Sequence, residues 1–171
     1  MGLVDLSVGM GYGFTMSPLL VLLGYSVDEA VPAVLSASFI GGIVGGISHQ
    51  RLGNVNFGFR SKALGMAILM GVLGVSVGVY LGLNIHERYS QTYIGLITLT
   101  SAYFIHFKKR YSFKFTWIRV GLMGLVGSLN KGLTGGGYGP VTTSGGILSG
   151  LNERAAVAVQ ALSESLVSLM G

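Results

Sequence analysis

Cysteine is absent from this 171-residue chain, and charge is scarce: Asp, Glu, Lys and Arg together make up 10% of it. Without Cys there is no disulfide framework, no thiolate metal site and no cysteine nucleophile. A water-soluble domain carries about a quarter charged residues, so this chain has too few to cover a water-facing surface. The three histidines, His49, His86 and His106, are scattered and lack spaced carboxylate partners, which excludes a readable metal site. No Ser-His-Asp set and no paired carboxylates stand out, so the sequence argues against an enzyme. A secretory signal is also missing: Met1–Ser7 has no positive n-region and carries Asp5. Leu6 departs from the myristoylation pattern.

What is present is apolar. Half the residues are hydrophobic, and 29 are Gly. A membrane-spanning helix needs about 20 mainly apolar residues. Six hydrophobic segments are candidates: Leu3–Gly24, Ala30–Ser48, Ala63–Leu83, Tyr89–Phe107, Trp117–Leu133 running on into Val141–Gly150, and Ala155–Met170. The expected fold class is therefore all-α, a polytopic membrane protein. Small-residue faces such as Gly41, Gly42, Gly45 and Gly46, or Gly71, Gly74 and Gly78, suit close helix packing in lipid.

The formal net charge of +5 does not point to nucleic acid, because the basic residues cluster in short loops between apolar runs. Arg51, Arg60 and Lys62 fall in one loop, and Lys108, Lys109, Arg110 and Lys114 in another two crossings later. The positive-inside rule makes loops 49–62 and 108–116 cytoplasmic and the protein integral to the plasma membrane. Trp117, Tyr89, Tyr93 and Tyr111 fall near segment ends, where amphipathic rings prefer the interface.

Two stretches interrupt the apolar pattern, GMGYGFTMSP at 9–18 and GGGYGP at 135–140. Each is followed by a short apolar run, a Gly, a polar tetrad and an Ala-rich helix. Pairing Pro18 with Pro140, Gly24 with Gly150 and Ala30 with Ala156 needs a four-residue gap near Ser144. The expected organisation is a first transmembrane repeat over 3–110, a basic linker over 111–116 and an incomplete second repeat over 117–171. If the first broken segment crosses once, the repeats run parallel; if it dips and returns, they are inverted.

Irregular backbone survives at membrane depth only inside protein or along a watery cavity. Free N–H groups at the restarting helix, with the helix dipole, bind anions. Broken helices at mid-depth are where many transporters hold substrate. Gly11, Gly13, Thr15 and Pro18 would shape one half-site, and Gly135, Gly136, Gly137, Tyr138 and Pro140 the other, facing each other across a hydrated vestibule. Lys131 and Glu164 lie within apolar runs, where a charge is expensive. Lys131 is a candidate partner for a substrate anion, with snorkelling to an interface as the alternative. Glu164 is a candidate proton carrier or a partner for Lys131. A kink or packing device is the alternative for either break alone.

Gly-Tyr-Gly at 11–13 and 137–139 resembles an ion-filter tripeptide. In the gapped register, however, the two tyrosines fall at different repeat positions. Neither GSLNKG at 127–132 nor GMGYGF has the spacing of a nucleotide loop.

The doubled G-x-G-(G/x)-G with a following Pro, each copy leading to an Ala-rich helix, resembles the TauE/SafE family of sulfite exporters and sulfonate uptake permeases. Gly9, Gly11, Gly13 and Pro18 resemble the first signature, with Tyr12 where the family commonly has Gly. Gly135, Gly136, Gly137, Tyr138, Gly139 and Pro140 resemble the second, and Ser48–Asn56 the polar loop after the second helix. The resemblance covers nearly the whole chain, although the family usually completes both halves. It implies secondary transport of sulfite, a sulfonate or a related anion, coupled to an ion gradient and needing no cofactor. The expected partners are membrane lipid and a small anionic substrate, with a homo-oligomer or a missing second half to complete the unit. A passive anion channel and a non-transporting membrane subunit are the alternatives.

Overall fold

The computed structural model describes residues 12–54, 59–107 and 116–171. These residues form seven α-helices and no strand. They are α1 (Tyr12–Leu22), α2 (Val27–Arg51), α3 (Phe59–Asn84), α4 (Glu87–Phe107), α5 (Trp117–Thr134), α6 (Tyr138–Leu148) and α7 (Glu153–Met170). The all-α expectation holds. Two helices, Val27–Arg51 and Leu64–Asn84, are long and apolar enough to cross a membrane, and Tyr12–Leu22 is a shorter apolar helix.

The distribution of side chains is inverted relative to a water-soluble domain. Ile40, Ile43, Val44 and Ile47 line one exposed face of α2, and Leu69, Leu73, Val77 and Tyr80 line one of α3. Both sets recur at three- and four-residue spacing, as residues on one side of a helix do. The interior instead holds Lys131, Gln160, Glu164, Asn130, Thr134 and several serines. Polar groups gathered inside and large aliphatics turned outward suit a hydrocarbon surround.

Close packing places the interior. Gly74 and Gly78 on α3 meet the α5 backbone at Leu125 and Leu129, and Gly132 on α5 meets Val75 on α3. Gly42 and Gly46 bring α2 against Ala161, Leu162 and Ser165 of α7. The apolar centre is Val75, Tyr138 and Val167, joined by Val79.

Two corners have matching backbones. They follow the helices α1 and α6. Each ends in a left-handed Gly, Gly24 at φ 94° and Gly150 at φ 92°. Each closes with the paired bonds of a Schellman turn: Tyr25 N–H to the Leu20 carbonyl and Gly24 N–H to Val21 in one, Leu151 N–H to Gly146 and Gly150 N–H to Ile147 in the other. The next helix then starts from Ser26 (φ −66°, ψ 158°) or Asn152 (φ −66°, ψ 155°). The closing glycines (150 − 24) and the N-caps that follow them (152 − 26) differ by the same 126 residues.

This register corrects the gapped pairing. Pro18 lies six residues before Gly24, whereas Pro140 lies ten before Gly150, so the prolines do not share a position in it. Tyr12 and Tyr138 do share one, each lying twelve residues before its closing glycine. GGGYGP is also less irregular than expected. Only 135–137 lie outside helix, and Tyr138-Gly139-Pro140 form the first turn of α6, where the missing Pro N–H breaks no intrahelical bond.

Candidate functional site

The second break is built by two left-handed glycines. Gly135 (φ 70°) caps α5, its N–H bonding the Lys131 carbonyl at 2.7 Å. Gly137 (φ 79°) opens α6. Only Gly takes such angles without strain. Thr134 holds the turn: its hydroxyl lies 2.8 Å from the Asn130 carbonyl and accepts the Gly136 N–H at 3.2 Å.

This turn lies directly against the start of α1. A Cβ on Gly13 would stand 2.1 Å from the Gly135 oxygen, and one on Gly136 would stand 2.3 Å from the Gly13 oxygen. The two glycine stretches therefore meet backbone to backbone at this point, and not across a hydrated vestibule. The missing side chains are what permit the approach. Ser17, one turn along α1, is buried without a hydrogen-bond partner among the described residues, and its hydroxyl would lie 3.0 Å from a Cβ on Gly135.

The charged centre lies one turn before the break. Lys131 and Glu164 are fully buried, with Nζ and Oε1 2.7 Å apart. Gln160, one turn earlier on α7, donates its amide Nε2 to the other carboxylate oxygen, Oε2. Isolated, either charge would be strongly disfavoured; paired and hydrogen-bonded, the two are tolerated. On neighbouring turns Tyr138 donates to Ser163 at 2.8 Å, and Tyr93 of α4 donates to Asn130 Oδ1. Interdigitated hydroxyl, amide and ionic groups thus tie α4, α5, α6 and α7 together.

A cavity of about 20 Å³ lies between α3, α5, α6 and α7, lined by Val120, Met123, Thr142, Val159, Gln160 and Ser163 among others. That is room for a single water molecule. Gln160 Oε1 is buried and has no partner among the described residues.

The sequence-predicted residues divide accordingly. Gly13, Gly135 and Gly136 are brought into contact, and Lys131 pairs with Glu164. Tyr138 and Pro140 lie in the first turn of α6, the ring of Tyr138 in the core. Thr15 is half-buried on α1, its hydroxyl facing the Tyr12 carbonyl at 3.4 Å, and Pro18 lies within the same helix. Gly11 lies outside the described residues, as do 55–58 and 108–115 of the basic loops. Sequence reading missed Gln160 and Asn130. The first sits four residues before Glu164, the spacing at which helix side chains meet, and the second is adjacent to Lys131. Tyr93, expected at an interface, is half-buried with its hydroxyl turned inward to Asn130.

An apolar exterior around a buried ionic centre is the arrangement of a helical bundle suited to a membrane. Comparison with known proteins sharpens this: the chain matches the family described as Sulfite exporter TauE/SafE over residues 1–171, and it belongs to that family. It is also similar to the Probable membrane transporter protein YtnM of Bacillus subtilis (strain 168), 25% identical over 150 residues. That match covers 82% of this chain and 49% of the relative, so the chain spans about half the relative's length. No solved structure matches the chain.

Proposed function

We propose that this chain forms the substrate-handling part of a secondary transporter for a small oxyanion such as sulfite or an organosulfonate. The observation that carries the reading is the buried Lys131–Glu164 pair, one turn from a glycine break that touches the start of α1. A lysine held at 0% exposure in a lipid-facing bundle is a binding group, not a surface ornament. The free amides that open α6 and the dipole behind them favour the same sign of ligand. Gly11, Gly13, Thr15 and Pro18 shape one side, and Gly135–Gly137, Tyr138 and Pro140 the other. Glu164 is the group that carries a coupling proton.

The constant 126-residue offset between the two corners supports an internal repeat, the arrangement common in secondary transporters. The first repeat spans 3–110, the linker 111–116 and the partial second repeat 117–171. Six hydrophobic segments then cross or enter the plasma membrane, with loops 49–62 and 108–116 in the cytoplasm. The chain spans about half of its relative, so the transport activity is assigned to the assembly containing it, completed by further chain or by a second copy. Membrane lipid and the anion are its partners; it runs no chemical reaction and needs no cofactor.

The test is counterflow of radiolabelled sulfite and methanesulfonate in vesicles containing the full-length protein. A carrier accumulates label against preloaded unlabelled anion. Dissipation down the gradient without accumulation identifies a pore, and no flux identifies a non-transporting subunit. Lys131→Ala is expected to abolish flux, and unchanged flux would remove Lys131 from the mechanism.

A further inference from the structure

Charge balance at the ionic centre says more about the ligand than its sign. Lys131 and Glu164 form a pair with no net charge, buried at 0% and 3% side-chain exposure. Among the described residues Lys131 Nζ has one acceptor, Glu164 Oε1, although an ammonium carries three donors. An anion arriving at Lys131 beside an ionised Glu164 would leave one uncompensated negative charge in a low-dielectric interior, which is strongly disfavoured. A proton on Glu164 removes that charge. The loaded centre then holds Lys131 as a cation, the ligand as a monoanion and Glu164 neutral, and is as balanced as the empty one. A dianion would leave a net negative charge even then.

Gln160 is built to accept the change. Its Nε2 now donates to Glu164 Oε2, which suits a carboxylate, while its Oε1 is buried without a partner among the described residues. A protonated Glu164 becomes a donor through its new O–H. Rotation of the Gln160 amide by half a turn presents Oε1 to that O–H, and Nε2 turns to the water-sized cavity that Gln160 lines. Both protonation states of Glu164 are thereby hydrogen-bonded by one side chain, a property Leu or Glu at 160 would not have.

The other groups facing Glu164 do not confuse this assignment. Lys131 comes from α5, and Tyr138 from α6 gives its hydroxyl to Ser163. Among the described residues, the contacts that α2 and α3 make with α7 at Gly42, Gly46 and Gly71 bring no titratable side chain to it.

We infer that the Lys131–Glu164–Gln160 centre takes one monoanion together with one proton, exchanging the Glu164 carboxylate on Lys131 for the ligand, so that loading is electroneutral. The proton comes from water and joins a Glu164 carboxylate oxygen as the ion pair opens, and it returns to water when the anion leaves. This rests on the oxyanion reading above and names its substrate class and stoichiometry.

The test is calorimetric titration of the purified full chain with methanesulfonate, a permanent monoanion, in two cationic buffers of different ionisation enthalpy, imidazole and Bis-Tris. The buffer dependence of the heat counts protons taken up per anion bound. About one proton is expected, with sulfate bound roughly tenfold or more weaker than methanesulfonate. Binding without proton uptake, or sulfate bound as tightly as methanesulfonate, overturns the inference while leaving an anion site. Absence of methanesulfonate binding overturns the oxyanion reading and the inference with it. Glu164→Gln, a neutral mimic of the protonated state, is expected to bind methanesulfonate with no proton uptake and little pH dependence. Gln160→Leu is expected to bind with a shifted pH profile, whereas a merely structural role would lower stability and leave the profile in place. The wild-type proton count decides the matter if either variant fails to fold.

Discussion

The corner α1–α2 and the corner α6–α7 share a backbone and differ in chemistry. Both close a helix with a Schellman turn through a left-handed Gly and lead into a polar N-cap. At the positions where α7 carries Gln160, Ser163 and Glu164, α2 carries Val34, Ala37 and Ser38, each 126 earlier. Ser38 is buried with no hydrogen-bond partner among the described residues, whereas Glu164 engages both Lys131 and Gln160. The acidic residues of the first corner, Asp28 and Glu29, lie instead in the exposed first turn of α2, where Glu29 bonds Ser26 at 2.9 Å and favours the helix dipole. One backbone plan thus serves as scaffold in one place and holds a buried charge in the other. The lesson is that a turn can be specified by a few glycines and caps, while the site is specified by which residues occupy the inward-facing positions of the following helix.

The contrast can be broken most forcefully at Lys131. Lys131→Ala strands the Glu164 carboxylate in the interior and is expected to lower stability by about 3–5 kcal/mol, read from denaturant unfolding in detergent. The double variant Lys131→Met with Glu164→Leu should recover most of that loss and still fail to transport. Recovery of flux in the double variant would show that the ionic centre is dispensable.

Next in size is the contact between the two glycine stretches. Gly136→Ala drives a Cβ toward the Gly13 oxygen, and Gly13→Ala drives one toward the Gly135 oxygen. Each is expected to be destabilising by about 1–3 kcal/mol, measured by thermal unfolding of the purified protein. Native-like stability in both would mean the two stretches do not touch. The caps test the likeness itself. Asn152 accepts the Ala155 N–H at 2.7 Å, and Ser26 occupies the equivalent position. Asn152→Ala and Ser26→Ala should each cost about 1 kcal/mol; strongly unequal losses in unfolding would break the equivalence. The smallest effect is expected at Ser38. Its hydroxyl has no partner, so Ser38→Ala should fall within about 0.5 kcal/mol of wild type or slightly above it, in contrast to any change at Glu164. A large loss at Ser38 would place an unseen partner there.

Much of the helix layout was readable from apolar runs. Trp117–Leu133 lies within one residue of α5 at either end, Tyr89 falls two residues after the start of α4, and Ala30–Ser48 falls three residues short of α2 at each end. Lys131 and Glu164 were conspicuous because charges in such runs are expensive. The register between the corners is not readable from the prolines. Proline is accommodated both in a first turn, as at Pro140, and inside a membrane helix, as at Pro18, so it marks no unique position. The left-handed Gly24 and Gly150 do mark one, since the αL angle that closes a helix selects Gly at C′. Gln160 stayed hidden for another reason: a neutral amide on an Ala-rich helix gives no local sign that a carboxylate one turn away needs it.

By itself, then, the amino-acid order determined an all-helical, lipid-compatible chain with glycine-marked corners and two charges too costly to bury alone. Those properties follow from composition and local backbone preference, which act over a few residues. Only the tertiary structure decided that Lys131 meets Glu164 across 33 positions, that Gln160 completes the pair, and that Gly13 rests on Gly135 and Gly136. Such meetings depend on how closely α3 approaches α5 and α2 approaches α7. That approach is a collective outcome of packing and charge compensation, which no short stretch of sequence encodes.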